Sequence, residues 1–174
     1  MEPTVTVIQH MSERKRNPMR PLVWGLAVGL LLLPLVAMQF TEEVNWTGSD
    51  FLVFGLLLLA ACSSYELAAR ASGSKAYRLG AGIAVIGVFL QVWANLAVGI
   101  IGNENNPANL MFLAIPVVGI LGAIMARFKA RGMTRTLNAM AIVQGLIALV
   151  AWAWFGANIL VMTAFFVFVW LVSA

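Results

Sequence analysis

Residues 137–174 read LNAMAIVQGLIALVAWAWFGANILVMTAFFVFVWLVSA, 38 consecutive residues without a charged side chain. As one helix this stretch would run to about 57 Å at 1.5 Å per residue, nearly twice the roughly 30 Å of a bilayer's hydrocarbon. It has to turn back on itself. Phe155-Gly156-Ala157-Asn158 offers the place, with a glycine for the turn and Asn158 as an N-cap for the next helix. The reading is two membrane spans, 137–154 and 159–174, the second ending after 16 residues with no basic anchor.

The remaining sequence reads in the same terms. The 174 residues are 61% hydrophobic and 10% charged, with mean hydropathy +0.91. A soluble domain is about a quarter charged, so this chain cannot cover itself with a normal water-facing surface. Apolar runs near the length that a bilayer requires fall at 21–40, 51–69, 79–101 and 110–126. The expected fold is an all-α polytopic transmembrane bundle of six spans over residues 21–174, after a polar tail at 1–20. No loop is long enough to fold as a separate soluble domain.

Charge sets the expected orientation. Arg14, Lys15, Arg16 and Arg20 precede span one; Arg70, Lys75 and Arg78 separate spans two and three; Arg127, Lys129, Arg131 and Arg135 separate four and five. All eleven basic residues therefore share one side, while the opposite loops carry Glu42, Glu43, Asp50 and Glu104 without a base. The positive-inside rule makes the basic side cytoplasmic, with both termini there, N-in and C-in. Trp24, Trp46, Trp152, Trp154 and Trp170 fall near span ends, as interfacial indoles do, whereas Trp93 lies well inside span three. Basic residues before each odd span, Arg20, Arg78 and Arg135, are spaced 58 and 57 residues apart. Three similar hairpins are one reading of that spacing, and short loops alone are the preferred one.

Several functions are excluded at this level. The net charge of +4 and pI near 9.8 come from bases flanking the spans, so no nucleic-acid partner is expected; anionic lipid at the cytoplasmic face is. Cys62 is the only cysteine, which rules out an intramolecular disulfide. Leu59-Ala60-Ala61-Cys62 resembles a lipoprotein cleavage box but follows an acidic segment and an earlier span. The basic N-terminal cluster precedes a run too long for a signal peptide and without a small-residue exit, so span one is expected to be uncleaved. His10, the only histidine, sits in the tail, so neither a bis-histidine haem nor a histidine-ligated zinc can form inside the membrane. No phosphate loop, HExxH or GxSxG is present, and the nine methionines are scattered. No metal or cofactor is expected.

Polar residues within hydrocarbon are costly enough to be functional candidates. Gly87, Gln91, Asn95 and Gly99 recur every fourth residue in span three and form one stripe. It reads either as a hydrogen-bonding site for a polar ligand or, preferably, as a tight helix contact with glycines for close approach and amides bonding across it. Glu66 and Arg70, four apart near the cytoplasmic end of span two, suit an ion pair. Ala60, Ser64 and Ala68 form a small-residue stripe in span two, and Gly25 and Gly29 a GxxxG match in span one. In the outer loops, Asn103-Glu104-Asn105-Asn106-Pro107-Ala108-Asn109 and the segment Thr41 to Asp50 concentrate polar side chains. Asp50, Glu104, Asn106 and Asn109, with Gln91 and Asn95, form a candidate ligand site. The competing reading is turn chemistry, with Asp50 and Asn109 as helix N-caps. Asn45-Trp46-Thr47 fits the glycosylation triplet but lies too close to a span to be used.

Asn95-Leu96-Ala97-Val98-Gly99-Ile100-Ile101-Gly102, followed by Asn106-Pro107-Ala108-Asn109-Leu110-Met111 and by Ala126-Arg127-Phe128, resembles a group of small bacterial inner-membrane proteins without an assigned activity. The likeness runs from about Val44 to the last span, with residues 1–40 as an added part. It implies a multi-pass protein of the bacterial inner membrane and points to the same span-three and outer-loop asparagines. The function expected is that of a non-enzymatic membrane protein, an oligomer or an accessory subunit of a larger membrane complex. The alternative is a small transporter or channel for a polar solute. A membrane enzyme built on Glu66, Asp50 or Glu104 comes third, because one acid without a partner base is a weak catalytic set.

Overall fold

The computed structural model describes residues 19–156 and 159–174. The tail with Arg14, Lys15, Arg16 and His10, and the Asn158 cap, lie outside the described residues. Within them the regular structure is entirely helical: α1 Met19–Ala37, α2 Gly48–Ala71, α3 Lys75–Ala97, a 3-10 helix η1 at Pro107–Leu113, α4 Ala114–Ala126, α5 Ala130–Phe155 and α6 Leu160–Ser173. Four segments are long and apolar enough to cross a membrane: Gly48–Ala71, Lys75–Ala97, Pro107–Ala126 and Ala130–Phe155. Pro21–Ala37 and Leu160–Ser173 are shorter apolar helices. The outward-turned side chains are largely apolar, among them Ile142, Leu146 and Leu149 on α5 and Val161, Phe165 and Phe168 on α6. This is a membrane protein, its surface suited to lipid.

The chain divides into two compact units, residues 1–51 and 52–174. The first contains α1, an apolar helix with Pro34 inside it, and the start of α2. That start carries the returning half of a capping box: the Thr47 backbone N–H and its Oγ1 both donate to Asp50 Oδ2 at 2.7 Å, while the Asp50 N–H donates to Thr47 O.

In the second unit α5 lies between α4 and α6, and α6 also packs on α3. The core joins Ala84 of α3, Phe112 of η1, Ile115 of α4, Met140, Ile147 and Ala151 of α5, and Phe166 and Trp170 of α6. Lipid tails are as apolar as these side chains, so close approach and hydrogen bonding, more than water exclusion, hold such helices together. Gly87 illustrates this: a Cβ there would stand 2.7 Å from Val169 Cγ1 and 3.0 Å from the Trp170 ring. α2 meets α3 through aromatic rings, Phe54 lying 4.5 Å from Trp93 and 5.8 Å from Phe89 between centroids.

The element boundaries correct several expectations. Span three ends at Ala97, not residue 101, because the Val98 and Gly99 N–H groups both donate to Ala94 O and Gly99 turns left-handed at φ 76°. Span four opens as a 3-10 turn, since Pro116 has no N–H to offer the preceding turn. α5 begins at Ala130, seven residues before the apolar run at 137, because a helix continues through polar residues that hydropathy does not count. It ends at Phe155, where Gly156 at φ 59° returns its N–H to Ala151 O and Trp152 O.

Candidate functional site

One face of α3 carries Gly87, Gln91 and Asn95, all buried. Gln91, 1% exposed, donates from Nε2 to Oε1 of Gln144 on α5 at 2.9 Å, and Gln144 is fully enclosed. One turn further along α3, Asn95 donates from Nδ2 to the Asn109 backbone oxygen at 3.2 Å. The stripe therefore bonds across helix contacts at both amides. It is shorter than expected: Gly99 belongs to the turn, where a Cβ would run into the Asn103 backbone, and not to a helix-packing face.

Asn109 is the organising residue of the loop between α3 and η1. Its Oδ1 accepts from the Ile100 N–H at 2.9 Å and the Ile101 N–H at 2.8 Å, and its Nδ2 donates to Asn103 O at 2.6 Å. It is 4% exposed. Neither an N-cap nor a free ligand, it supplies the loop's backbone with partners that no helix or strand provides there. The N-cap of η1 is Asn106, whose Oδ1 accepts from the Ala108 N–H at 3.0 Å. Glu104 is exposed and accepts from Asn105 Nδ2 at 3.1 Å. Asp50 closes the capping box of α2 from inside its first turn instead of standing at the N-cap. Of the six candidate ligand residues the structure links Asn95 with Asn109. Gln91 is paired elsewhere, and Asp50, Glu104 and Asn106 each serve their own turn.

Glu66 and Arg70 are ion-paired along one face of α2. The small-residue stripe beside them is not the buried face of that helix. Ala68 is buried, but Ala60 and Ser64 are exposed, and the enclosed positions are Phe54, Leu58 and Cys62. The reason is the tilted ring contact of Phe54 with Phe89 and Trp93, which turns the bulky side of α2 toward α3. A Cβ at Gly25 or Gly29 would meet nothing within 4 Å, so among the described residues this motif seats no neighbour.

At the basic end of the second unit, Tyr77 Oη donates to Phe128 O at 2.6 Å and ties the start of α3 to the α4–α5 turn. Arg127 and Phe128 hold left-handed φ values of 49° and 56° there. The end of α6 returns to the same region: Thr134 Oγ1 donates to Ala174 O at 2.6 Å, and a Cβ on Gly80 would lie 2.8 Å from Ser173 O.

Sequence reasoning overlooked Gln144 and Thr163, and it read Trp170 as an interfacial indole, whereas Trp170 is fully enclosed in the core against α3. Gln144 carried the same signal as Gln91, an amide in the middle of a span. Gln91 Oε1, Asn95 Oδ1, Gln144 Nε2, Thr163 Oγ1 and Trp170 Nε1 are all buried without a hydrogen-bond partner. Among the described residues no group of three or more histidines, cysteines or acids is placed to hold a metal.

These features define a helical membrane protein with a neutral polar interior. No protein-family model, no curated protein and no solved structure matches the chain.

Proposed function

We propose that the protein is a non-enzymatic subunit of the bacterial inner membrane, six spans with both termini cytoplasmic, that associates with itself or with a larger membrane complex through small-residue helix faces. The observation that carries the reading is the face of α2. Its bulky side is seated against α3, while Ala60 and Ser64 stand exposed on the helix surface. In lipid a small-residue face invites another helix, because backbones can then approach closely. The use of the acids also supports it: Asp50 closes a cap, Glu66 pairs with Arg70 and Glu104 engages its neighbouring asparagine.

The topology draws on two lines of support. Bases gather on one side of the spans, and α6, though only 14 residues long, runs back to the level of Gly80 and Thr134. Lys75, Arg78, Arg127, Lys129 and Arg131 form a basic rim suited to anionic headgroups. The likeness to small bacterial inner-membrane proteins supports the compartment.

Native mass spectrometry after gentle extraction tests the association. A defined oligomer or partner is expected, weakened by Ala60→Leu with Ser64→Leu; a monomer in several mild detergents contradicts it. A solute site assembled from the outer asparagines is not favoured, since Asn106 and Asn109 already hold backbone groups.

A further inference from the structure

The idle polar atoms of the second unit are not scattered. Gly80 meets Ser173, and Gly87 meets Val169 and Trp170, so α3 and α6 run antiparallel with a fixed register. Continuing that register from Gly87 to Gln91 and Asn95 brings the level from Trp170 up to Phe166 and Thr163. Gln144 joins from α5 through its bond to Gln91. The residues that carry two idle acceptors, Gln91 Oε1 and Asn95 Oδ1, two idle donors, Gln144 Nε2 and Trp170 Nε1, and the Thr163 hydroxyl thus all lie on the three helices of one contact, α3–α5–α6.

A buried polar group without a partner is costly, and five on the three helices of one contact call for an explanation. Spans with that many idle groups would be better served by leucine if packing were all they did.

We propose that the α3–α5–α6 seam is a binding site for a small neutral molecule that both donates and accepts hydrogen bonds. Water and small polyols or ureas share this chemistry. A charged ligand is disfavoured, because residues 79–97 of α3, 136–155 of α5 and all of α6 contain no ionisable acid or base to neutralise it. Access is from the side. A groove of about 530 Å³ between α5 and α6 is lined by Gly145, Ala148, Leu149, Trp152, Leu160 and Thr163. Gly145 adjoins Gln144 in sequence and Ala148 is one turn beyond it, and Thr163, whose hydroxyl is buried, lines the same groove. The idle atoms are enclosed as they stand, and rotation of Thr163 and the two amides opens them to an entering molecule.

The test uses the full chain in lipid bilayers and solid-state NMR, following magnetisation transfer from water to Gln144 Nε2 and Trp170 Nε1. The two signals are assigned by their loss in Gln144→Met and Trp170→Phe. Transfer approaching that of exposed Asn105 supports the site with water as its occupant. Addition of carbon-13 urea distinguishes the second source, because contacts from its carbon to Gln91 and Gln144, with a matching loss of water transfer, identify a small solute. Gly145→Leu, at a position where a Cβ meets nothing within 4 Å, puts a side chain into the groove and, in protein whose helicity and unfolding midpoint match the parent, is expected to slow either transfer. Transfer from water and urea as poor as at the fully enclosed Ile115 overturns the proposal, and unchanged exchange in a folded Gly145→Leu protein overturns the route.

Discussion

At Asn109 a single amide does the work of a missing stretch of secondary structure. It accepts from two successive backbone N–H groups and donates to a carbonyl six residues before it. Asn109→Ala is expected to leave those N–H groups unpaired in an enclosed loop, at about 1–3 kcal/mol. Asn109→Asp keeps the acceptor but sets a carboxylate oxygen against the Asn103 carbonyl in an enclosed site, so it is expected to cost at least as much as alanine; unfolding midpoints in mild detergent give the order. Gln91 and Gln144 behave as a couple. Each single leucine substitution leaves an enclosed amide alone, whereas the double substitution removes both, so its cost should be less than the sum, by about 0.5–2 kcal/mol. A strictly additive cycle in the same unfolding assay would deny that the bond matters. Gln91 and Asn95 were legible in the sequence because amides in a span stand out. Gln144 was equally visible but lay in a stretch whose lack of charge claimed the reading. Asn109 was read as a cap or a ligand, since only the folded loop brings Ile100 and Ile101 to its oxygen.

Helix limits depend on chemistry that hydropathy does not record. α3 stops where Gly99 takes a left-handed turn, although apolar residues continue through Ile101. Gly99→Ala adds about 1–2 kcal/mol of backbone strain and a collision with Asn103, so a marked drop in the unfolding midpoint is expected. Gly87 and Gly145 make a contrasting pair of helical glycines. Gly87→Leu has Val169 and Trp170 in its way and should separate α3 from α6, whereas Gly145→Leu has open space. Trp170 emission, isolated by difference against Trp170→Phe, should shift in the first and hold in the second. The turn after α5 was legible because length and one glycine sufficed. The face of α2 was not: Ala60, Ser64 and Ala68 fit a packing stripe as well as Phe54, Leu58 and Cys62 do, and only the rings of Phe89 and Trp93 decide between them.

For the whole molecule, composition was enough to place six apolar segments, and the described helices follow those segments within a few residues, apart from the early start of α5. The idle polar atoms of Gln91, Asn95, Gln144, Thr163 and Trp170 were not legible, because which groups end buried and unpaired is settled only when three helices meet. At 1.5 Å per residue α6 reaches about 21 Å, short of the roughly 30 Å of hydrocarbon, so the proposed sixth crossing requires a locally thinned bilayer. Everything proposed about function depends on all six helices crossing with the bases inside. Single cysteines in a Cys62→Ser background, at Asn45, Gly73, Asn105, Lys129 and Ala174, report this directly through labelling with a membrane-impermeant maleimide. Labelling of intact spheroplasts at positions 45 and 105 alone, with 73, 129 and 174 reached only in inverted vesicles, is the predicted result. Labelling of position 174 from the outside would contradict the sixth span, and labelling of 73 or 129 would contradict the orientation.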